Sequence, residues 1–279
     1  MECGSQGEAL AKMHRICFKN GVVAYGFESY DSFPLRAYVS TRHGGVSPEP
    51  WRSLNFSHSR GDEHERVLEN FARFCAALGR DPAHPVRTHQ VHSTRVARVG
   101  WTEAGARQES CDALITDAVE LPLFLVFADC VPIIFYDPNG HALGACHAGW
   151  RGTIEGVAAA TLDAMTEAFG TNAAEVRVGI GPSIGPESYE VGEEVVGKAT
   201  STLSNGQKYF CWHNGDQSNP CFDLWQANID QLTAVGVPGE QMELSGIDTA
   251  RNTHEFFSHR AEKGLCGLFG LLTWLEPRE

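Results

Sequence analysis

The sequence predicts an α+β protein: a single mixed α/β domain with a mixed β-sheet flanked by helices. Three observations lead there. The middle of the chain carries short apolar segments at 121–127, 133–136 and 142–147, the last two separated by the turn signal Asp137-Pro138-Asn139-Gly140. On both sides run segments whose apolar residues recur every 3.6 positions. No Pro/Gly/Ser-rich linker cuts the chain between them.

Taken in order, residues 1–20 read as a loosely ordered leader and 21–279 as one domain. Leu35–Ser40 reads as a strand, followed by the glycine-turn loop Arg42-His43-Gly44-Gly45-Val46-Ser47-Pro48. Residues 62–78 form an amphipathic helix with Val67, Leu68, Phe71, Phe74, Cys75 and Leu78 on one face, stopped by Gly79. After Gly149-Trp150-Arg151-Gly152 one helix runs to about Phe169, with Ile154, Val157, Ala158, Thr161, Leu162 and Met165 on its buried face. A short strand at 176–180 ends in Gly181-Pro182-Ser183-Ile184-Gly185-Pro186. A helix at 224–235 stops at Gly236, and the apolar stretch 268–275 fits either a strand or a short helix.

Composition narrows the function. The 279 residues are 42% hydrophobic and 20% charged, as in ordinary globular domains. Lys+Arg number 22 against 35 Asp+Glu, a net charge of −13, which disfavours nucleic acid and anionic membrane surfaces as partners. Nine cysteines, odd in number and widely spaced, with no secretory pattern at the start, fit a cytoplasmic chain with reduced thiols. No apolar run is long enough to span a bilayer.

Twelve histidines beside those cysteines raise metal binding, although zinc-finger spacings are absent. If the segment between them folds as a hairpin, Cys130 and His147 approach one another, and His92 completes two imidazoles and a thiolate. Three protein ligands leave a position for water, the pattern of a catalytic zinc site. Each residue taken singly has an ordinary use as well, the cysteine as a small core residue and the histidines as hydrogen-bonding groups. Arg42 precedes two glycines and Arg151 stands at a helix start, both suited to capturing an anion, or else to pairing and capping. Asp129 is an acid or base beside a metal-bound water, or a group orienting a histidine. Gln90 and Asn55 are candidate hydrogen-bonders to a purine or ribose. Phe256-Phe257-Ser258-His259-Arg260 offers aromatic surface and a further cation at Arg260.

Seven strings occur in order: Thr41-Arg42-His43-Gly44-Gly45-Val46-Ser47, Gln90-Val91-His92, Cys111-Asp112-Ala113-Leu114-Ile115-Thr116, Ala128-Asp129-Cys130-Val131-Pro132-Ile133, His147-Ala148-Gly149-Trp150-Arg151-Gly152, Gly179-Ile180-Gly181-Pro182-Ser183-Ile184-Gly185 and Tyr189-Glu190-Val191-Gly192. Together they resemble the purine nucleoside phosphorylase family once catalogued as multicopper polyphenol oxidases or laccases, which includes peptidoglycan-editing factors. The resemblance runs from about Val39 to the C-terminus. It implies metal ligands at His92, Cys130 and His147 and an active-site arginine at Arg42. It also implies zinc-dependent phosphorolysis of adenosine, guanosine, inosine or methylthioadenosine, and deamination of adenosine. Three departures stand out: Ser93 where a glycine is usual, Asp248-Thr249-Ala250-Arg251 in place of a Cys-Thr-x-Cys string, and His259 in place of a tyrosine. They spare the ligands and bear on purine selectivity and on the balance of activities.

The expected reactants are therefore a purine nucleoside and phosphate, with Zn2+ preferred over copper because no His-x-His occurs anywhere in the chain. Two other readings compete. In one, Cys130 is a catalytic nucleophile with His147 as its base, acting on cell-wall amides. In the other, the pocket binds nucleosides without turnover.

Overall fold

The computed structural model describes residues 13–212 and 220–278. Its strands are β1 (His14–Cys17), β2 (Val23–Gly26), β3 (Leu35–Ser40), β4 (Val86–Thr88), β5 (Val96–Arg98), β6 (Arg107–Gln108), β7 (Ala113–Thr116), β8 (Leu123–Phe127), β9 (Val131–Asp137), β10 (Ala142–Ala148), β11 (Arg177–Ile180), β12 (Phe210–Cys211), β13 (Cys221–Phe222), β14 (Met242–Leu244) and β15 (Phe269–Leu275). The α-helices are α1 (His64–Ala77), α2 (Trp150–Glu155), α3 (Val157–Phe169), α4 (Glu193–Thr202) and α5 (Leu224–Ala234). The mixed α/β class holds, with the sheet divided in two: a seven-stranded sheet in the order β1-β2-β3-β15-β8-β4-β6 and a six-stranded sheet in the order β14-β11-β9-β10-β7-β5.

The two sheets pack face to face. Val39, Leu125, Phe127 and Leu271 from the first meet Leu114, Ile134, Leu143 and Ala145 from the second. The outer face of the first sheet, with Phe124, Leu272 and Trp274, is covered by Phe71, Phe74 and Cys75 of α1. The outer face of the second, with Ile133, Phe135 and Cys146, lies against α3 and α5 through Val157, Leu162, Met165, Ala227 and Leu232. Strands buried on both faces read as continuous apolar runs, which is why 268–275 resisted assignment. It is the strand β15, hydrogen-bonded between β3 and β8.

The helix expected from 149 to 169 is two helices. Gly156 takes the left-handed conformation at φ 86°, closing α2 and opening α3. Gln231 then donates its side-chain N–H to the Thr153 carbonyl at 2.9 Å. Of the leader expected at 1–20, residues 1–12 lie outside the described residues, while β1 is paired with β2 from His14↔Gly26 to Cys17↔Val23. The β9–β10 hairpin forms as expected, in register from Ala142↔Asp137 to Ala148↔Val131. No helix among the described residues is long and apolar enough to cross a membrane.

Leu271 is fully buried in the middle of the inter-sheet core. Leu271→Ala is expected to cost about 2–5 kcal/mol, read as a lower urea midpoint at unchanged slope.

Candidate metal centre

The centre forms where the inter-sheet core opens to solvent. The chain leaves β8 in one sheet, turns through Ala128 and Asp129, and enters β9 in the other with Cys130 at the turn. His147 lies near the end of β10, level with Pro132, and shares the inward face of Leu143 and Ala145. Its ring is 5.4 Å from that of Phe127 and 5.0 Å from that of His92.

His92 sits in the loop between β4 and β5 with φ 61°, a left-handed conformation that costs a non-glycine residue about 1–3 kcal/mol unless its surroundings hold it. Asp112 holds it. This buried carboxylate accepts the backbone N–H groups of Val91, His92 and Ser93 at 3.1, 3.0 and 2.7 Å, and the Ser93 hydroxyl at 2.9 Å. It also accepts Nδ1–H of His147 at 2.9 Å, and its carbonyl takes the His147 N–H at 2.7 Å. With Nδ1 committed, His147 offers Nε2 to the centre.

Single ligand atoms of His92, Cys130 and His147 lie within 4.8 Å of one another, the one such cluster found among the described residues. Cys130 Sγ is 3.8 Å from His92 Nε2. Burial alone would raise the Cys130 pKa. The charge of His147 and hydrogen bonds from both imidazoles outweigh it and bring the thiol down to about 6. Burial opposes charge on His147 too, but the Cys130 thiolate and Asp112 raise it to about 9. Asp112, desolvated but bonded to His147 and the loop amides, falls to about 2. The donor set fits a metal ion. Gly149 leaves the necessary space, since a Cβ on it would stand 2.5 Å from His92 Cδ2 and 3.0 Å from Cys130 Sγ.

Comparison with known proteins agrees with this architecture. Residues 36–276 match the family described as multi-copper polyphenol oxidoreductase laccase. The chain belongs to that family. Among curated proteins, it is 36% identical to a purine nucleoside phosphorylase of Bacteroides thetaiotaomicron, over 84% of this chain and 90% of the relative. It is 34% identical to purine nucleoside phosphorylase YfiH of Escherichia coli, over 86% and 94% of the two chains. Crystal structures of YfiH from Bacillus licheniformis and YlmD from Geobacillus stearothermophilus are similar, with TM-scores of 0.87 and 0.85 and identities of 30% and 31%. These alignments cover 94% and 92% of this chain, and 99% and 97% of the respective structures.

Around the centre of this laccase-family chain opens a cleft of about 770 Å³. Gln90, Asp129, Cys130 and Arg260 line it together with His92 and His147. Gln90 spends its amide on β8, donating to the Val126 carbonyl at 2.7 Å and accepting the Val126 N–H at 3.0 Å. Asp129, at φ 83°, accepts the Thr249 hydroxyl and the Arg260 N–H, each at 2.7 Å. Burial pushes its pKa above the usual carboxylate range against those bonds. Arg260 donates to the Glu190 carbonyl at 2.5 Å and lies over the Tyr189 ring.

Three expected residues are absent from this lining. Arg42 is turned to a separate cavity, where it donates to the Arg52 and Thr253 carbonyls at 2.8 and 2.7 Å, pairs with Glu262 at 3.0 Å and stacks on Phe257. It clamps three segments instead of facing the candidate metal ligands. Asn55 is fully buried, its amide shared among Asp62, Ser57 and the Leu268 N–H. Arg151 stacks at 4.1 Å on Trp150, which does line the cleft, and pairs with Glu194 at the surface. Sequence reasoning also missed Asp112, although a lone carboxylate at the head of the apolar run Ala113-Leu114-Ile115 is a visible signal.

Asp112→Asn and Gly149→Ala are each expected to lower Zn2+ affinity about 10–100-fold in competition with a chromophoric chelator. In metal-free protein, alkylation of Cys130, followed by peptide mapping, is expected to accelerate as pH rises through about 6, because the thiolate is the reactive form.

Proposed function

We propose that the chain is a zinc-dependent purine nucleoside phosphorylase. It converts adenosine, inosine, guanosine or methylthioadenosine and phosphate to free base and (methylthio)ribose 1-phosphate, and it deaminates adenosine. The observation that carries this reading is the His92–Cys130–His147 cluster at the wall of an open cleft, in a chain whose curated relatives are named purine nucleoside phosphorylases.

Two imidazoles and one thiolate suit zinc and leave a position for water or substrate. A copper electron-transfer site with the same three donors commonly adds a distant methionine sulfur, and no methionine is among the residues lining this cleft. When bound, zinc supplies Lewis acidity towards a water or substrate oxygen. The chain's own residues supply the rest. Trp150 and Tyr189 offer aromatic faces to a purine, and Arg260 brings positive charge beside Tyr189. Asp129, the one carboxyl among the lining residues, with its raised pKa, exchanges a proton with the departing base.

The second reading is a Cys130–His147 hydrolase acting on cell-wall amides. It is favoured by a thiol brought down to about 6 beside an imidazole raised to about 9. Removing metal separates the two, since the phosphorylase loses turnover and the thiol hydrolase keeps it.

Purified protein incubated with adenosine is expected to give adenine plus ribose 1-phosphate only when phosphate is present, with inosine as the deamination product, both resolved by mass. A chelator and His92→Ala are each expected to abolish both products. Absence of product from adenosine, inosine and methylthioadenosine would overturn the phosphorylase reading.

A further inference from the structure

The cleft is electrically one-sided. Arg60, Arg87, Arg107 and Arg260 line it, and among the described residues none of the four has a carboxylate at ion-pair distance. Elsewhere Arg15, Arg36, Arg73 and Arg80 each hold one. Asp129 is the one carboxyl in the lining and is taken up by Thr249 and the Arg260 amide. In a chain of net charge −13, four unneutralised guanidinium groups in one cavity form a local inversion of the surface charge.

Two of these arginines are forced together by the sheet. β4 and β6 are parallel neighbours, and Arg87 is the register partner of Arg107, so the two side chains leave the same face of adjacent strands. Like charges set directly opposite in a sheet are destabilising unless something neutralises them. The Arg87 side chain makes a single hydrogen bond among the described residues, to the Gly105 carbonyl at 3.0 Å, and its buried Nε has no partner. Arg107 makes no side-chain hydrogen bond among the described residues. His58 belongs to the same group. Burial holds its pKa down, and so do the charges of His64, Arg87 and Arg107, with no acid acting in the other direction. Phe71 and Phe124 form an apolar wall in the same cleft, and Arg87 lies 5.8 Å over the Phe71 ring. Beside such a wall charge interactions are less screened than in open water.

We propose that the Arg87–Arg107 wall, with His58 beside it, is a binding subsite for a phosphate dianion. Two adjacent guanidinium forks match tetrahedral phosphate oxygens and recover the repulsion that the register imposes. The occupant is inorganic phosphate acting as second substrate, or a phosphoryl ester carried on the nucleoside. The proposal refines the phosphorylase reading, but its test is a binding measurement that does not depend on turnover.

Calorimetric titration of inorganic phosphate into the full-length zinc-loaded protein at low ionic strength is expected to show one site. Arg87→Gln and Arg107→Gln should each weaken it about tenfold, while Arg107→Lys, which keeps the charge but not the fork, binds more tightly than Arg107→Gln, and Arg73→Gln on α1 leaves it unchanged. Melting curves accompany each variant, and the lysine variant separates loss of charge from loss of fold. Adenosine and adenosine 5′-monophosphate distinguish the two sources. Free phosphate as occupant predicts that adenosine and phosphate bind together. An esterified phosphate predicts that the monophosphate binds at least tenfold tighter than adenosine and that Arg107→Gln erases the difference. Phosphate binding that is absent from the wild type, or equal in the wild type and both glutamine variants, would overturn the subsite. Normal phosphate binding without nucleoside turnover would overturn the phosphorylase reading and leave the subsite standing.

Discussion

The buried carboxylate of Asp112 is the constraint on which the site depends. Three successive backbone N–H groups from residues 91–93 converge on it, together with the Ser93 hydroxyl and the His147 imidazole. A charge removed from water is tolerated only when it is this fully bonded. The same bonds stabilise the left-handed backbone at His92 and fix which nitrogen of His147 faces the cavity. One anion thereby ties a loop to a strand end and sets the positions of two imidazoles.

The third donor arrives by a different route. Asp129 turns the chain from one sheet into the other, and its carbonyl accepts the Ile184 N–H at 2.9 Å while its carboxylate braces Thr249 and Arg260. Cys130 is thus placed by the crossing between sheets, and His147 by the hairpin that continues from it. The cleft is a consequence of layering: where the two sheets cease to cover each other, Phe127 of the inter-sheet core becomes part of its wall, and Phe124 joins it from the outer face beneath α1.

Much of this was legible in the residues. The short apolar runs on either side of the Asp-Pro-Asn-Gly turn gave the β9–β10 hairpin, and with it the approach of Cys130 to His147. The 3.6-residue period gave α1, α3 and α5. The strands β4, β5 and β6 were not legible, because two or three residues carry no period and their pairing is decided by distant partners. The break at Gly156 was hidden by an apolar face that continues in phase across both helices. Arg42 reads as an anion-binding group because it precedes Gly44-Gly45, and Asn55 as a polar hydrogen-bonder to a purine or ribose. Their hydrogen bonds are taken up by near neighbours, Arg52 for one and Ser57 and Asp62 for the other, and by segments more than two hundred residues away, Thr253 and Glu262 for Arg42 and Leu268 for Asn55. Asp112 escaped for the same reason, since its partners lie about twenty residues before it and thirty-five after it.

The β9–β10 hairpin has a further consequence. Both of its candidate metal-binding side chains lie at its open end: Cys130 stands just beyond the seven registered pairs, and His147 is in the sixth pair counted from the turn at residues 137–140. At about 3.3 Å per residue that turn is roughly 20 Å away. The ligands are held together by the ladder and not by the covalent link between the strands. The site's integrity is therefore independent of chain continuity at the turn, and new termini or an inserted segment there would leave the donor atoms in place.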